Sequence, residues 1–171
     1  MATYIERGGL LFADAICANS EFADSFRREI EAMYRGDGSE KVAQLNHDMR
    51  TMMFEDVGIF RTGPGLLQAV EKTRELRERF KHIKVGDTGK VFNQEMLSAW
   101  ELKNMLDLAL VTAISASARQ ESRGAHARED FPKRDDGSWM KHTLACLDGD
   151  KVQLSYKPVV ITQWQPKERK Y

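Results

Sequence analysis

The chain has 171 residues, 42% hydrophobic and 30% charged, which suits one domain able to bury roughly 70% of its unfolded surface. Its 26 basic and 26 acidic side chains cancel, and the two signs are interleaved, so no basic face exists to hold nucleic acid or an anionic membrane. No apolar run reaches the ~20 residues of a membrane helix, and Cys17 and Cys146 are too few and too far apart for a disulfide framework.

Glu6 and Arg7 come early and no long apolar stretch follows them, unlike a secretory signal. Leu10 to Ile16, behind Gly8-Gly9, suits a short buried helix or a remnant of something larger. From Ser20 to Tyr34 the pattern is helical, because Phe22, Phe26, Ile30 and Tyr34 recur every fourth residue. Arg35 to Ser39 breaks it with two glycines and an Asp. Ser39 is placed to cap a second helix running to about Phe60, with Val42, Leu45, Met49, Met52 or Met53, and Val57 on one face. Pro64 suits the first turn of a third helix, Gly65 to His82. Leu66, Leu67, Val70, Leu76, Phe80 and Ile83 form its apolar stripe, and the mixed charges from Glu71 to Lys81 read as its wet side.

Val85 to Lys90 is a turn-rich link without the spacing of a phosphate-binding loop. A long helix follows from Asn93 to Arg119. Between Met105 and Ala118 it is apolar or small almost all round, which predicts burial on most sides. Residues 121–138 read as polar loop. Trp139 to Leu147 and Val152 to Pro158 then form a hairpin around Asp148-Gly149-Asp150. The expected fold is mainly α: an antiparallel, spectrin-like three-helix bundle followed by a loop and a small C-terminal β-hairpin. Residues 1–35 make a preceding, partly helical segment of undefined role, and residues 36–171 the domain proper.

The densest polar cluster lies just after the most apolar helix, from Glu121 to Asp136. Three readings fit its residue types. His126 would be a general acid with Arg123 and Arg128 clamping a carboxylate, but no second acid–base partner is evident. His126, Asp130, Asp135 and Asp136 would bind a metal, but their spacing matches no known site. The third is favoured: the charges satisfy one another and dock the bundle against another body. The docking residues are then Glu121, Arg123, Gly124, His126, Arg128 and Asp130, with Gly124 permitting a tight turn. His47, His82 and His142 are isolated. Neither cysteine has the basic neighbours of a reactive thiol, and no Ser-His-Asp order, GxGxxG or CxxC motif is present.

The string from Arg119 to Pro132, with Arg134-Asp135-Asp136, Trp139 to Leu144 and Lys157-Pro158, resembles the C-terminal domain of the succinate dehydrogenase and fumarate reductase flavoprotein family. Phe60-Arg61-Thr62-Gly63 after a Met-rich helix, and Glu101 to Leu106, extend the likeness over roughly residues 36 to 171. The run from Arg128 to Asp136 favours the dicarboxylate-oxidising branch over aspartate oxidase and adenylylsulfate reductase. The resemblance implies a helical domain with a small β element packed beside a FAD-binding domain. In such a protein hydride passes between substrate and flavin as succinate and fumarate interconvert, and electrons continue to an iron–sulfur subunit. It implies FAD in the parent protein and none bound by this chain alone. It also implies peripheral attachment through partners, on the cytoplasmic face of a bacterial inner membrane or the mitochondrial matrix side. The family's flavin-linking histidine, substrate clamp and dinucleotide glycines lie upstream of this domain, and no catalytic residue is carried over. Glu6-Arg7-Gly8-Gly9-Leu10-Leu11 is too short a match to the family's arginine-bearing segment. The alternative is a stand-alone helical interaction module with no redox activity.

Overall fold

The computed structural model describes residues 20–34, 36–89 and 91–167. The apolar patch at Leu10–Ile16, Arg7, Cys17, Arg35 and Lys90 lie outside the described residues, as does the side chain of Phe22. In chain order the elements are α1 (Ser20–Tyr34), α2 (Val42–Val57), β1 (Phe60–Arg61), α3 (Gly63–Phe80), α4 (Gln94–Ala118), β2 (Ala127–Arg128), α5 (Asp136–Trp139), β3 (Lys141–Asp148) and β4 (Lys151–Pro158). The chain is mainly α, with a small antiparallel sheet formed by β3 and β4.

The apolar stripes explain the packing. α2, α3 and α4 touch one another pairwise, and α4 also meets α1 and both strands of the hairpin. Leu45, Leu66, Leu102, Leu106 and Leu110 are fully buried where the three helices meet, and each contributes about 1.5–3 kcal/mol by leaving water. Thr73 is buried among them, its hydroxyl donating to the Ala69 carbonyl at 2.7 Å. Small residues at Ala99, Ala109 and Ala113, also buried, let the helices approach closely. α1 is held on α4 by an edge-on Phe26–Trp100 contact, 5.7 Å between centroids, and by the Lys103–Glu29 pair at 2.7 Å.

Several boundaries fall elsewhere than the sequence suggests. The N-cap of α2 is Lys41, without a side-chain cap, not Ser39. The cause is that residues 36–40 run alongside the end of α3 before the helix opens. Glu40 N–H donates to the His82 carbonyl at 3.1 Å, and Lys84 N–H returns to the Glu40 carbonyl at 3.0 Å. A Cβ on Gly38 would lie 1.8 Å from the His82 oxygen. Gly38→Ala should therefore cost about 1–3 kcal/mol, the usual range for overpacking, read as a lowered midpoint in urea unfolding. α2 stops at Val57, before Phe60. α3 opens at Gly63, capped by Thr62, whose hydroxyl accepts from Gly65 N–H.

α4 matches its expected span and is capped by Asn93, whose side-chain oxygen accepts from Met96 N–H at 2.8 Å. Its burial is one-sided, however: Leu97, Leu108 and Thr112 are exposed. The charged side of α3 is not uniformly wet either. Arg77 reaches Asp107 of α4 and Asp150 of the hairpin turn, and Arg79 reaches Glu40 and Asp48. The hairpin is in the expected place, with Gly149 at φ 57 in its turn. Two elements are additions to the expected set, the short helix α5 and the parallel β1–β2 pairing, in which Phe60 faces Ala127 and Arg61 faces Arg128. None of the described helices is long and apolar enough to cross a membrane.

Candidate functional site: a charged corner at the end of the helices

A helix ends with carbonyls that have no partner within it. At the C-terminus of α4 those carbonyls are taken by Arg128, whose Nη1 donates to Ala116, Ser117 and Arg119 at 3.1, 3.1 and 3.2 Å. Its Nε and Nη2 grip both oxygens of Asp130 at 2.7 Å. At the C-terminus of α2, Arg61 Nε donates to the Val57 and Gly58 carbonyls at 3.1 and 2.7 Å. The two arginines face each other across the β1–β2 pairing. Each places a positive charge at the negative end of the helix before it.

Glu121 is fully buried. Its carboxylate accepts from Arg119, from Arg123 Nε and Nη2 at 2.8 and 3.0 Å, and from the Asp135 amide at 2.9 Å. Burial alone would push this carboxyl up; the donors from Arg123, Asp135 and Arg119 outweigh it and hold it below the ordinary range. The Arg128 bonds hold Asp130 at about 2. Asp130 also accepts from Gly63 N–H at 3.0 Å, which ties the loop to the start of α3. Arg123 continues to Asp136 at 2.7 Å, and Asp135 caps α5 by accepting from Ser138 N–H. Gly124, at φ 60, and Ala125 form the tight turn between Arg123 and His126, which exchange backbone bonds at 2.8 and 3.1 Å.

His126 bridges the two halves of the corner. Its Nδ1 lies 2.6 Å from Arg61 Nη1 and its Nε2 3.1 Å from the Arg119 carbonyl. A guanidinium only donates and a carbonyl only accepts, so the ring is neutral with its proton on Nε2. Burial first, then the charges of Arg61, Arg128 and Arg119, lower its pKa below 6.5, against the Arg119 carbonyl, which raises it. The unfolded chain therefore takes up this proton at higher pH than the folded one. Stability is complete above about 6.5 and falls as pH drops toward the folded value. Unfolding midpoints measured between pH 7.5 and 5.5 should decline, and His126→Asn should flatten that decline.

The structure thus brings the six candidate residues together. Glu121 and Arg128 are buried, Arg123 and His126 are half-buried, and Gly124 and Asp130 are exposed. Both ring nitrogens of His126 are engaged, by Arg61 and by the Arg119 carbonyl. Asp130, Asp135 and Asp136 are engaged by Arg128, by the start of α5 and by Arg123 with Arg134. No group of His, Cys, Asp or Glu that could hold a metal occurs among the described residues. Arg61 and Arg119, equal members of this network, carry no sequence signal of their own beyond the similarity strings that contain them. An open cavity of about 780 Å³ lies at the other end of the helices beside Lys41, Arg50, Lys84 and Glu95.

Among the described residues, the start of α3 is not free to cradle a dinucleotide. A dinucleotide needs a glycine-rich turn whose free amides receive the pyrophosphate at a helix start. Gly63 and Gly65 open α3, but their amides are bound to Asp130 and Thr62.

Packed helices with a carboxy-terminal hairpin, locked by an arginine–carboxylate corner, define a mainly helical domain. The model of the fumarate reductase flavoprotein C-terminal family matches residues 46–171, and the chain belongs to that family. It is 42% identical over 149 residues to the fumarate reductase flavoprotein subunit of Mycobacterium tuberculosis H37Rv, covering 86% of this chain and 26% of that protein. It is 48% identical over 126 residues to the succinate dehydrogenase flavoprotein subunit of Rickettsia bellii, covering 73% of this chain and 21% of that protein. A solved quinol fumarate reductase chain from E. coli superposes with a TM-score of 0.82 at 36% identity, over 94% of this chain and 28% of that one. The chain therefore spans about a quarter of the length of the relatives it matches.

Proposed function

We propose that this chain serves as the C-terminal helical domain of a succinate dehydrogenase or fumarate reductase flavoprotein, seated on a FAD-binding domain. That assembly interconverts succinate and fumarate, hydride passing between substrate and flavin and electrons continuing to an iron–sulfur subunit. The observation that carries this reading is the family match over residues 46–171, joined to relatives named for both reactions. In this reading residues 36–171 are the domain, residues 1–35 precede it, and α2, α3 and α4 form an antiparallel, spectrin-like three-helix bundle.

Glu121, Arg123, Gly124, His126, Arg128 and Asp130 serve the seating on the flavin-binding domain. The buried members shape the corner from inside and the exposed ones, Gly124 and Asp130, lie at its surface. FAD belongs to the flavin-binding domain, and this chain alone holds none. Attachment to a membrane is peripheral, through the complex, on the cytoplasmic face of a bacterial inner membrane or the mitochondrial matrix side.

Co-expression with the flavin-binding part of the M. tuberculosis subunit tests the reading. A yellow complex should co-purify, while the chain purified alone should be colourless and inert toward succinate. A flavin spectrum from the chain alone would contradict the assignment of the cofactor. Failure to co-purify would turn the case toward a free-standing interaction module.

A further inference from the structure

We infer that the exposed apolar side chains of Phe54, Ile59, Phe60 and Leu67, held in place by the neighbouring charged loop, supply the contact surface on which the flavin-binding part of such a flavoprotein sits. This rests on the reading above. The four side chains span only residues 54–67, around the α2–α3 connection, and all are exposed: Phe54 by 84% and Phe60 by 73%. Single exposed apolar residues are ordinary, but four within one short stretch around the α2–α3 connection are the concentration expected at an interaction site.

The local structure turns these groups outward. Successive residues of a strand point to opposite faces. Arg61 is turned to the carbonyls of α2 and to His126, so Phe60 is presented on the other face. Leu67 follows the fully buried Leu66.

The charged loop next door is poorly suited to provide the attraction. Glu121, Arg123, Arg128 and Asp130 spend their charges on one another and on helix carbonyls. What they do is hold the patch still. Ala127 N–H donates to the Ile59 carbonyl at 3.3 Å, Glu129 N–H to the Arg61 carbonyl at 2.9 Å, and Asp130 accepts from Gly63. A rigid apolar surface loses little freedom on binding. The occupant follows from length: this chain spans 26% of the M. tuberculosis subunit, and the remainder of such a polypeptide is the body available to cover the patch.

The test compares the unmodified chain with the double variant Phe54→Ser, Phe60→Ser and with the control Phe92→Ser, each co-expressed with the flavin-binding part of the M. tuberculosis subunit. Phe92 is 91% exposed but lies in the α3–α4 connection, at the other end of α3. The double variant should keep the melting temperature of the unmodified chain and associate about tenfold more weakly or worse, given the apolar area removed; the control should associate normally. Equal association of the double variant, with the unmodified chain binding well, would overturn this inference and leave the proposed function standing. No association by the unmodified chain would overturn both. Self-association of the chain that the double variant abolishes, without any effect on the flavin-binding part, would give the patch to a second copy and also overturn it.

Discussion

Glu121→Ala is expected to destabilise the chain by about 3 kcal/mol, the lower end of the range for breaking a buried ion pair by removing one partner. The carboxylate is fully buried and is the shared acceptor for Arg119, Arg123 and the Asp135 amide. Its loss removes an acceptor from two guanidinium groups, which keep Asp136 and the Trp139 and Lys141 carbonyls, and from one backbone donor. Arg119 and Arg123 keep side-chain exposures of 15% and 29%, so water can partly replace the missing acceptor, which is why the effect stays near the lower bound. Denaturant unfolding followed by circular dichroism reads the loss directly. Because the carboxyl is held below 4.5 in the folded chain, it contributes stability above that pH and loses it as pH falls through the folded value. Glu121→Gln should therefore soften the acid-induced decline below about 4.5 while lowering stability at neutral pH.

Arg128→Ala should cost a similar or larger amount, about 3–4 kcal/mol. It leaves the Ala116 and Ser117 carbonyls without the Arg128 donor, while the Arg119 carbonyl keeps His126 Nε2, and an unmet buried acceptor costs roughly 1–3 kcal/mol. Arg128→Lys keeps the charge but has no planar fork to hold Asp130 with two nitrogens while a third serves the helix end. It should recover less than half of the loss. The same unfolding measurement, made on both variants, separates charge from geometry: full recovery by lysine would mean that only the charge at the helix end matters.

The sequence makes the helices legible because their signals are local. Phe26, Ile30 and Tyr34 at fourfold spacing mark α1, and Asn93 ahead of a long apolar run marks the start of α4 with its cap. The hairpin is equally local, a Gly-bearing turn between two short runs. What escapes is set by contacts between distant residues. Ser39 has a capping side chain, yet the chain is busy pairing Glu40 with Ile83 there, so α2 opens two residues later, at an uncapped Lys41. β1 and β2 are two residues each and join positions 67 apart, Phe60 and Ala127; no alternation pattern can announce a pairing so short. The composition of α4 suggests burial all round, but Leu108 is 56% exposed, because composition does not say how many neighbours surround a helix.

The candidate site was legible as a cluster and not as an arrangement. Residue types mark 121–136 as rich in mutually satisfiable charges, and the structure brings Glu121, Arg123, His126, Arg128 and Asp130 into one network. Its direction depends on where the ends of α2 and α4 fall, since their carbonyls draw Arg61 and Arg128 inward. Arg61 lies 65 positions from the His126 it binds. Phe54 and Phe60 read in sequence as parts of a helical run and its end; their exposure follows only once α2 stops at Val57 and Arg61 claims the inner face of β1.

Amide hydrogen exchange on this chain, free and in complex with the flavin-binding part of the M. tuberculosis subunit, puts the seating to its most direct test. Slowed exchange at residues 54–67 and at the turn around Gly124 and Ala125, with the hairpin of β3 and β4 unchanged, is the expected pattern. Slowing confined to α1 or to the hairpin, or none anywhere, would contradict the account.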